Sequence, residues 1–267
     1  SEEKLYKSLK RAEASSKTIA YILKMTNSNL YDGKSTKEIY QEAFSLLKQQ
    51  SDNVAARYKL KRAIMELGPS GYPFEKFIGE ILKFQGYQVQ VGLIVQGHCV
   101  THEVDVIAEK EHDHFFMECK YHNKPGYNCD VKVPLYVHSR FKDIEAKMKQ
   151  SAENSHKSFY GWLVTNTKFS EDAVQYGTCM GLRLLGWDYP QNNSLKKQIE
   201  EAALYPITCL TTITELEKTY LLEKKIVLTR EICNNPTILK QMQISAKRIE
   251  KILIEANALC KTVINGK

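Results

Sequence analysis

The chain has 267 residues, 43% of them hydrophobic and 26% charged, which is enough to bury a sizeable core and to form two or three domains. No apolar run approaches the roughly 20 residues that span a bilayer, and the start, SEEKLYKSLK, is unlike a signal peptide, so a cytoplasmic home without membrane contact is the default. Seven scattered cysteines with no CxxC pair argue for reduced thiols, and a net charge of +7 suits a polyanionic partner without demanding one.

Residues 1 to about 67 read as all-helical. Leu5, Leu9 and Ala12 begin one helix, and Ile19, Ala20, Ile22 and Leu23 form the apolar stripe of a second. Ser35-Thr36-Lys37-Glu38 is a capping-box pattern that opens a third through Ile39, Ala43, Phe44 and Leu47. A fourth runs from Asp52 through Ala55, Tyr58 and Ala63 to Leu67. The phrases EKLYKSLKRAEAS, STKEIYQEAFSLL and AARYKLKRAI resemble the ATP-cone, a nucleotide-binding regulatory domain, and Lys4 matches the lysine which that family keeps in its first helix. The family's opening β-hairpin, which closes over the nucleotide, is missing from this sequence, so the resemblance implies weak regulation by ATP or dATP here. A plain helical bundle that packs or dimerises would show the same pattern.

Gly68-Pro69-Ser70-Gly71-Tyr72-Pro73 is a cluster of helix breakers and the best domain boundary. Beyond it Phe74, Phe77, Ile78, Ile81 and Leu82 share one helical face, Gly86 ends that helix, and a strand starts at Tyr87. At about 100° per residue Glu75 flanks the apolar stripe, whereas Glu80 lies well off it. The stretch THEVDVIAEKEHDHFFMECK, residues 101–120, then reads as two strands joined by a polar turn. Alternation sends Glu118 and Lys120 to one face and Met117 and Cys119 to the other, with Asp105 on the neighbouring strand. So many charges at the end of an apolar strand must pair or bind a metal. A surface hairpin carrying a Glu–Lys pair is the alternative. His98, His102, His112, His114 and His122 raise the idea of zinc, but no closed set of four ligands with the usual spacing appears.

Residues 123–135 read as a loop, 136–150 as a helix, 159–166 as a buried strand, 169–181 as a helix and 182–187 as a strand. Arg140, Lys142, Lys147 and Lys149 are candidates for phosphate contact, and His138 for a place near the cleft. Trp187 to Ser194 marks the exit from this domain. Leu195 to Leu204 is a short helix, and 207–263 is helical again with an apolar stripe at Ile249, Ile252, Leu253, Ala256 and Leu259.

The pattern D…ExK, with the phrases EVDVIA, FFMECK and VHSRFKDIE, resembles the Mrr-like restriction endonuclease branch of the PD-(D/E)xK superfamily. Val104 stands where the family often has proline. The resemblance implies an α/β core, a mixed sheet flanked by helices, over residues 72–190. An ATP-cone-like domain at 1–67 precedes it, and a helical tail at 191–267, similar to a helix-hairpin-helix module, follows it. The glycine hairpin of that module is not visible around Gln243-Ile244-Ser245, so the tail is as suited to packing or homo-oligomerisation as to DNA contact. The implied chemistry is Mg²⁺-dependent hydrolysis of DNA, with Mn²⁺ as an alternative ion. Asp105, Glu118 and the Cys119 carbonyl would hold the metal, Lys120 would act on the attacking water and the phosphate charge, and Glu75 would complete the acidic site. The alternative is a silent nucleic-acid-binding or nucleotide-sensing protein with a nuclease-like fold.

Overall fold

Apolar residues at helical spacing and serines at the turns make the first part of the chain a bundle. The computed structural model describes residues 2–261, and its first helices are Glu2–Arg11 (α1), Ser16–Ser28 (α2), Thr36–Gln50 (α3), Asp52–Tyr58 (α4) and Leu60–Met65 (α5). Ser35 and Glu38 close the reciprocal capping box at the start of α3, satisfying amides that a helix terminus leaves bare. Leu9, Ile19, Ile22, Ala43, Leu47 and Ala55 form the core of the bundle. The expected single helix over 52–67 divides at Lys59, whose buried amine donates to the Thr208 carbonyl oxygen at 3.1 Å.

After the breaker cluster come α6 (Tyr72–Phe84), β1 (Gln88–Gln96), β2 (Thr101–Lys110), β3 (Asp113–Lys120) and the two-residue β4 (Asn128–Cys129). They are followed by α7 (Lys132–Met148), β5 (Ser158–Thr165), β6 (Lys168–Phe169), α8 (Glu171–Cys179), β7 (Arg183–Leu185) and α9 (Leu195–Ala202). The main sheet runs β1-β2-β3-β5-β7, antiparallel across its first two pairings and parallel across the last two. Helix α6 packs on β1 and β2, and α7 on β5. The result is the mixed sheet flanked by helices that the element order implies. The core between the sheet and α7 is built from Ile107, Phe116, Leu163, Val137, Phe141 and Ile144.

Two local features differ from the sequence reading. Helix α7 begins at Lys132, four residues early, because Pro134 falls in the first turn, where a missing N–H leaves no intrahelical bond unmade. The strands β4 and β6 pair with each other in parallel, and two residues apiece are too few to show an alternation pattern.

The last helices are α10 (Glu215–Glu223), α11 (Thr229–Asn234), α12 (Thr237–Gln241) and α13 (Ala246–Cys260); residues 262 and 263 of the expected helical stretch lie outside the described residues. The chain divides into two compact units, one from Met65 to Leu204 and one that joins the chain up to Ile64 with the chain from Tyr205 onward. The expected arrangement of separate helical domains at 1–67 and 191–267 therefore differs from this division. The physical reason is a set of bonds no sequence pattern announces. Residues 205–210 are buried, Thr208 donates to the Ala63 carbonyl (2.6 Å), Thr211 bonds Asp52 (3.2 Å), and Arg57 donates to the Ala258 carbonyl (3.2 Å). Among the described residues no helix is long and apolar enough to cross a membrane.

Candidate active site

The site is organised by the β2–β3 hairpin. The ladder pairs Val106 with Met117 and Ile107 with Phe116, so the next opposed positions in the same register are Asp105 and Glu118. The Cys119 amide donates to Asp105 Oδ2 at 2.7 Å, which fixes that carboxylate against the neighbouring strand. On the other side of β2, Gly92 stands between the pairs Val91–Val106 and Leu93–Val104 with φ at +70°, so β1 puts no side chain opposite Asp105. Lys120 ends β3 and is exposed, and its carbonyl accepts from Thr165 Oγ1 at 2.7 Å, which anchors the strand end.

Glu75 comes from α6. The start of that helix is tied to the end of β3 by Tyr121, whose hydroxyl donates to the carbonyls of Met65 (2.6 Å) and Gly68 (3.1 Å). The Tyr121 ring also meets the Phe74 ring at 5.5 Å. Since Tyr121 follows Lys120 and Phe74 precedes Glu75, this contact brings the helix carboxylate toward the strand charges. Glu80, five residues on, is engaged elsewhere by Lys76 and Lys83.

The electrostatics are those of an acidic cluster taken partly out of water. Burial, then the charges of Asp105, Glu103 and Glu118, push the Glu75 carboxyl up to about 7. Burial first and the Asp105 charge second push Glu118 up, while Arg140 and Lys120 oppose them. Asp105 is raised chiefly by burial, against the Cys119 amide and Arg140. Each of these carboxylates is therefore harder to ionise than in water, which is the expected state of carboxylates crowded together with too few cations. Hard oxygen donors of this kind suit Mg²⁺, which is commonly held by one or two carboxylates and completes its shell with water and substrate oxygens. Asp105 and Glu118 are donors of that class. Among the described residues no group of three or more His, Cys, Asp or Glu side chains is set to hold a metal ion by itself.

Sequence reasoning missed the partners of Arg140 and missed Glu103 altogether. Arg140, read as one of several phosphate candidates, donates through Nη1 to Glu118 Oε2 and through Nη2 to the Glu103 carbonyl. Glu103 was legible in principle, since it shares Asp105's face of β2 two positions earlier. The other cations read as phosphate candidates turn to near neighbours in the chain: Lys142 and Lys149 to Glu145, and Lys147 to Gln150. His138 bonds the Tyr176 hydroxyl at 3.0 Å. The histidines of residues 98–122 are dispersed. His102 pairs with Asp143, His114 with Glu109 and His98 with Gln150, while His122 stacks on Tyr127.

A family model for a restriction endonuclease matches residues 68–188, and one described as AF1548-like, C-terminal, matches residues 205–260. An uncharacterized protein of Archaeoglobus fulgidus is 34% identical over 180 residues, a match that covers 67% of this chain and 97% of the relative. The crystal structure of AF1548, a protein of unknown function, aligns with a TM-score of 0.59 at 32% identity and covers 72% of this chain and 98% of that one.

Proposed function

The chain belongs to the AF1548-like family and has a restriction-endonuclease-like fold, and we propose that it is a metal-dependent DNA endonuclease, type IV restriction-like, that hydrolyses phosphodiester bonds. The observation that carries this reading is the meeting of Asp105, Glu118 and Lys120 at one end of the β2–β3 hairpin, with Glu75 drawn in from α6. Asp105, Glu118 and the Cys119 carbonyl would hold Mg²⁺, or Mn²⁺ in its place, and the ion would supply Lewis-acid relief of phosphate charge and lower the pKa of a bound water.

The chain's own residues do the rest. The Cys119 amide keeps Asp105 oriented, so the carboxylate loses little freedom when it takes a ligand. Lys120, exposed at the strand end, offsets charge that grows on the phosphate oxygens and holds the attacking water by hydrogen bonding. Glu75, whose carboxyl is pushed up to about 7 by burial first and then by the neighbouring carboxylates, would in its ionised form take up a proton from that water. Arg140 holds Glu118 against Asp105 and limits their repulsion.

Arg140's pairing with Glu118 also favours a second reading, a nucleic-acid-binding protein in which that cation replaces the metal and no bond is broken. Incubation with supercoiled plasmid in Mg²⁺ and in EDTA separates the two. Nicking that appears in Mg²⁺ and disappears in EDTA supports the enzyme, and binding without nicking in either supports the silent protein.

A further inference from the structure

Seven cysteines are distributed along the chain, and the proposed active site uses only the backbone of one of them. Two others are neighbours in space. Cys233 lies on α11 and Cys260 on α13, helices that pack against each other, and their Sγ atoms are 3.6 Å apart. Both residues are half-buried, so a small solute reaches them while the helices still constrain them. A disulfide sets its sulfurs about 2 Å apart, so closure asks for about 1.5 Å of sulfur movement, within the reach of side-chain torsions.

The surroundings of Cys260 favour reaction. Its Sγ is 3.6 Å from Thr229 Oγ1 as well as from the Cys233 thiol. The Cys233 S–H, the Thr229 hydroxyl and the positive charge of Arg230 favour the Cys260 thiolate and bring that thiol down to about 6. The thiolate is the nucleophilic form, so at neutral pH Cys260 is armed and Cys233 is its proton-bearing partner. The remaining thiols differ. Cys99 and Cys179 are exposed, and Cys119, Cys129 and Cys209 are buried. The Cys99 thiol is pushed up by Asp143, and those of Cys119 and Cys129 by burial.

We infer that Cys233 and Cys260 are a redox-reactive dithiol that a peroxide converts to a disulfide joining α11 to α13. The Cys260 sulfur attacks one peroxide oxygen, the O–O bond breaks, and hydroxide leaves. Cys233 then gives up its proton and attacks the sulfenic sulfur of Cys260, whose S–O bond breaks as water departs. Two thiols lose one electron each, and one hydrogen peroxide becomes two waters. Both cysteines fall within the segment that matches the AF1548-like C-terminal family, and neither is part of the nuclease site.

The test uses the full chain, reduced, desalted and treated with a slight excess of hydrogen peroxide. Thiol titration after denaturation should fall from seven to five, and peptide mapping should link Cys233 to Cys260. Non-reducing electrophoresis should show a monomer, and dithiothreitol should restore the count. Cys233→Ser and Cys260→Ser should each abolish the linked peptide, while Cys179→Ser leaves it intact. The thermal midpoint of the oxidised chain should exceed that of the reduced chain. A full count of seven after treatment, or a disulfide mapped to other cysteines, overturns the inference without use of any variant. Loss of Cys99 or Cys179 before Cys260 would also overturn it.

Discussion

At the scale of single residues the proposed chemistry makes separable claims. Asp105→Ala removes a metal carboxylate, and Lys120→Ala removes a charge that acts on the transition state, so each should lower plasmid cleavage by about 100-fold or more. Lys120 is exposed and Asp105 only half-buried, so neither truncation opens a core cavity, and circular dichroism should show an unchanged fold. Cleavage at the wild-type rate by both variants would sink the assignment. Glu75 carries a pH dependence of stability. Its carboxyl titrates near 7 when folded and near 4.5 when unfolded, so the folded chain binds the extra proton between those values. The stabilisation is whole below about pH 4.5 and is lost as pH rises through about 7. In EDTA the thermal midpoint should therefore fall between about pH 5 and pH 8, and Glu75→Gln should flatten that fall, contributing roughly 1 kcal/mol at the upper end after solvent screening. Mg²⁺ binds only ionised carboxylates, so its addition should raise the midpoint more at the upper pH than at the lower. Equal shifts at both would argue against metal capture by this cluster.

Among the elements, α7 matters because it carries Arg140 to the site and is fastened to the β1–β2 turn. Asp143, one turn beyond Arg140, accepts from the amides of Cys99 (2.8 Å) and Val100 (3.3 Å) and meets His102 Nε2 at 2.7 Å. The His98 amide in turn donates to the Asp143 carbonyl at 2.9 Å. This closeness needs glycine at position 97, where an added Cβ would sit 2.1 Å from Asp143 Oδ2 and 2.7 Å from the Val100 carbonyl oxygen. Gly97→Ala should therefore destabilise the central unit by about 1–3 kcal/mol, as overpacking does, and urea denaturation would measure it. Plasmid cleavage should fall with it, because the helix that positions Arg140 must shift. An unchanged urea midpoint would mean that the turn is not held as described.

Over the whole molecule, two expectations follow from how charge and chain are distributed. The net charge of +7 should make DNA affinity decline as salt rises, because lysine and arginine contacts displace counterions from phosphate. A binding constant flat between low and physiological salt, read by fluorescence anisotropy, would contradict a phosphate-tracking surface. The second expectation concerns the unit made from both ends of the chain. Lys59, Thr208, Asp52, Thr211, Arg57 and Ala258 knit the early helices to the late ones. Ending the chain at Leu204 should leave Ala55, Ala63 and Ile64 without the cover that α13 and residues 205–210 contribute to their unit. Amide exchange over α4 and α5 should then accelerate by orders of magnitude. Unchanged protection there would show that the first helices stand alone.

Amphipathic spacing, capping residues and strand alternation determined most of the elements by themselves, because each is a local preference that a dozen residues express in full. Position was enough to put Asp105 and Glu118 on adjacent strands, since two strands joined by a short polar turn pair as a hairpin, but the two-residue turn at Glu111 and His112 that sets the register belongs to the fold. The flank of α6 that carries Glu75 was equally legible from its period. Tertiary structure alone decided the rest. Tyr121 brings α6 to the strand end through carbonyls more than fifty residues away. Arg140 turns to Glu118, where together with Lys120 it offsets the charge of a half-buried acid. The first and last helices share one unit through bonds that span about 150 residues or more. Local sequence encodes torsional preference and the face each side chain takes, whereas partners so far apart in the chain are chosen by burial and hydrogen-bond satisfaction, which exist only once the chain has folded.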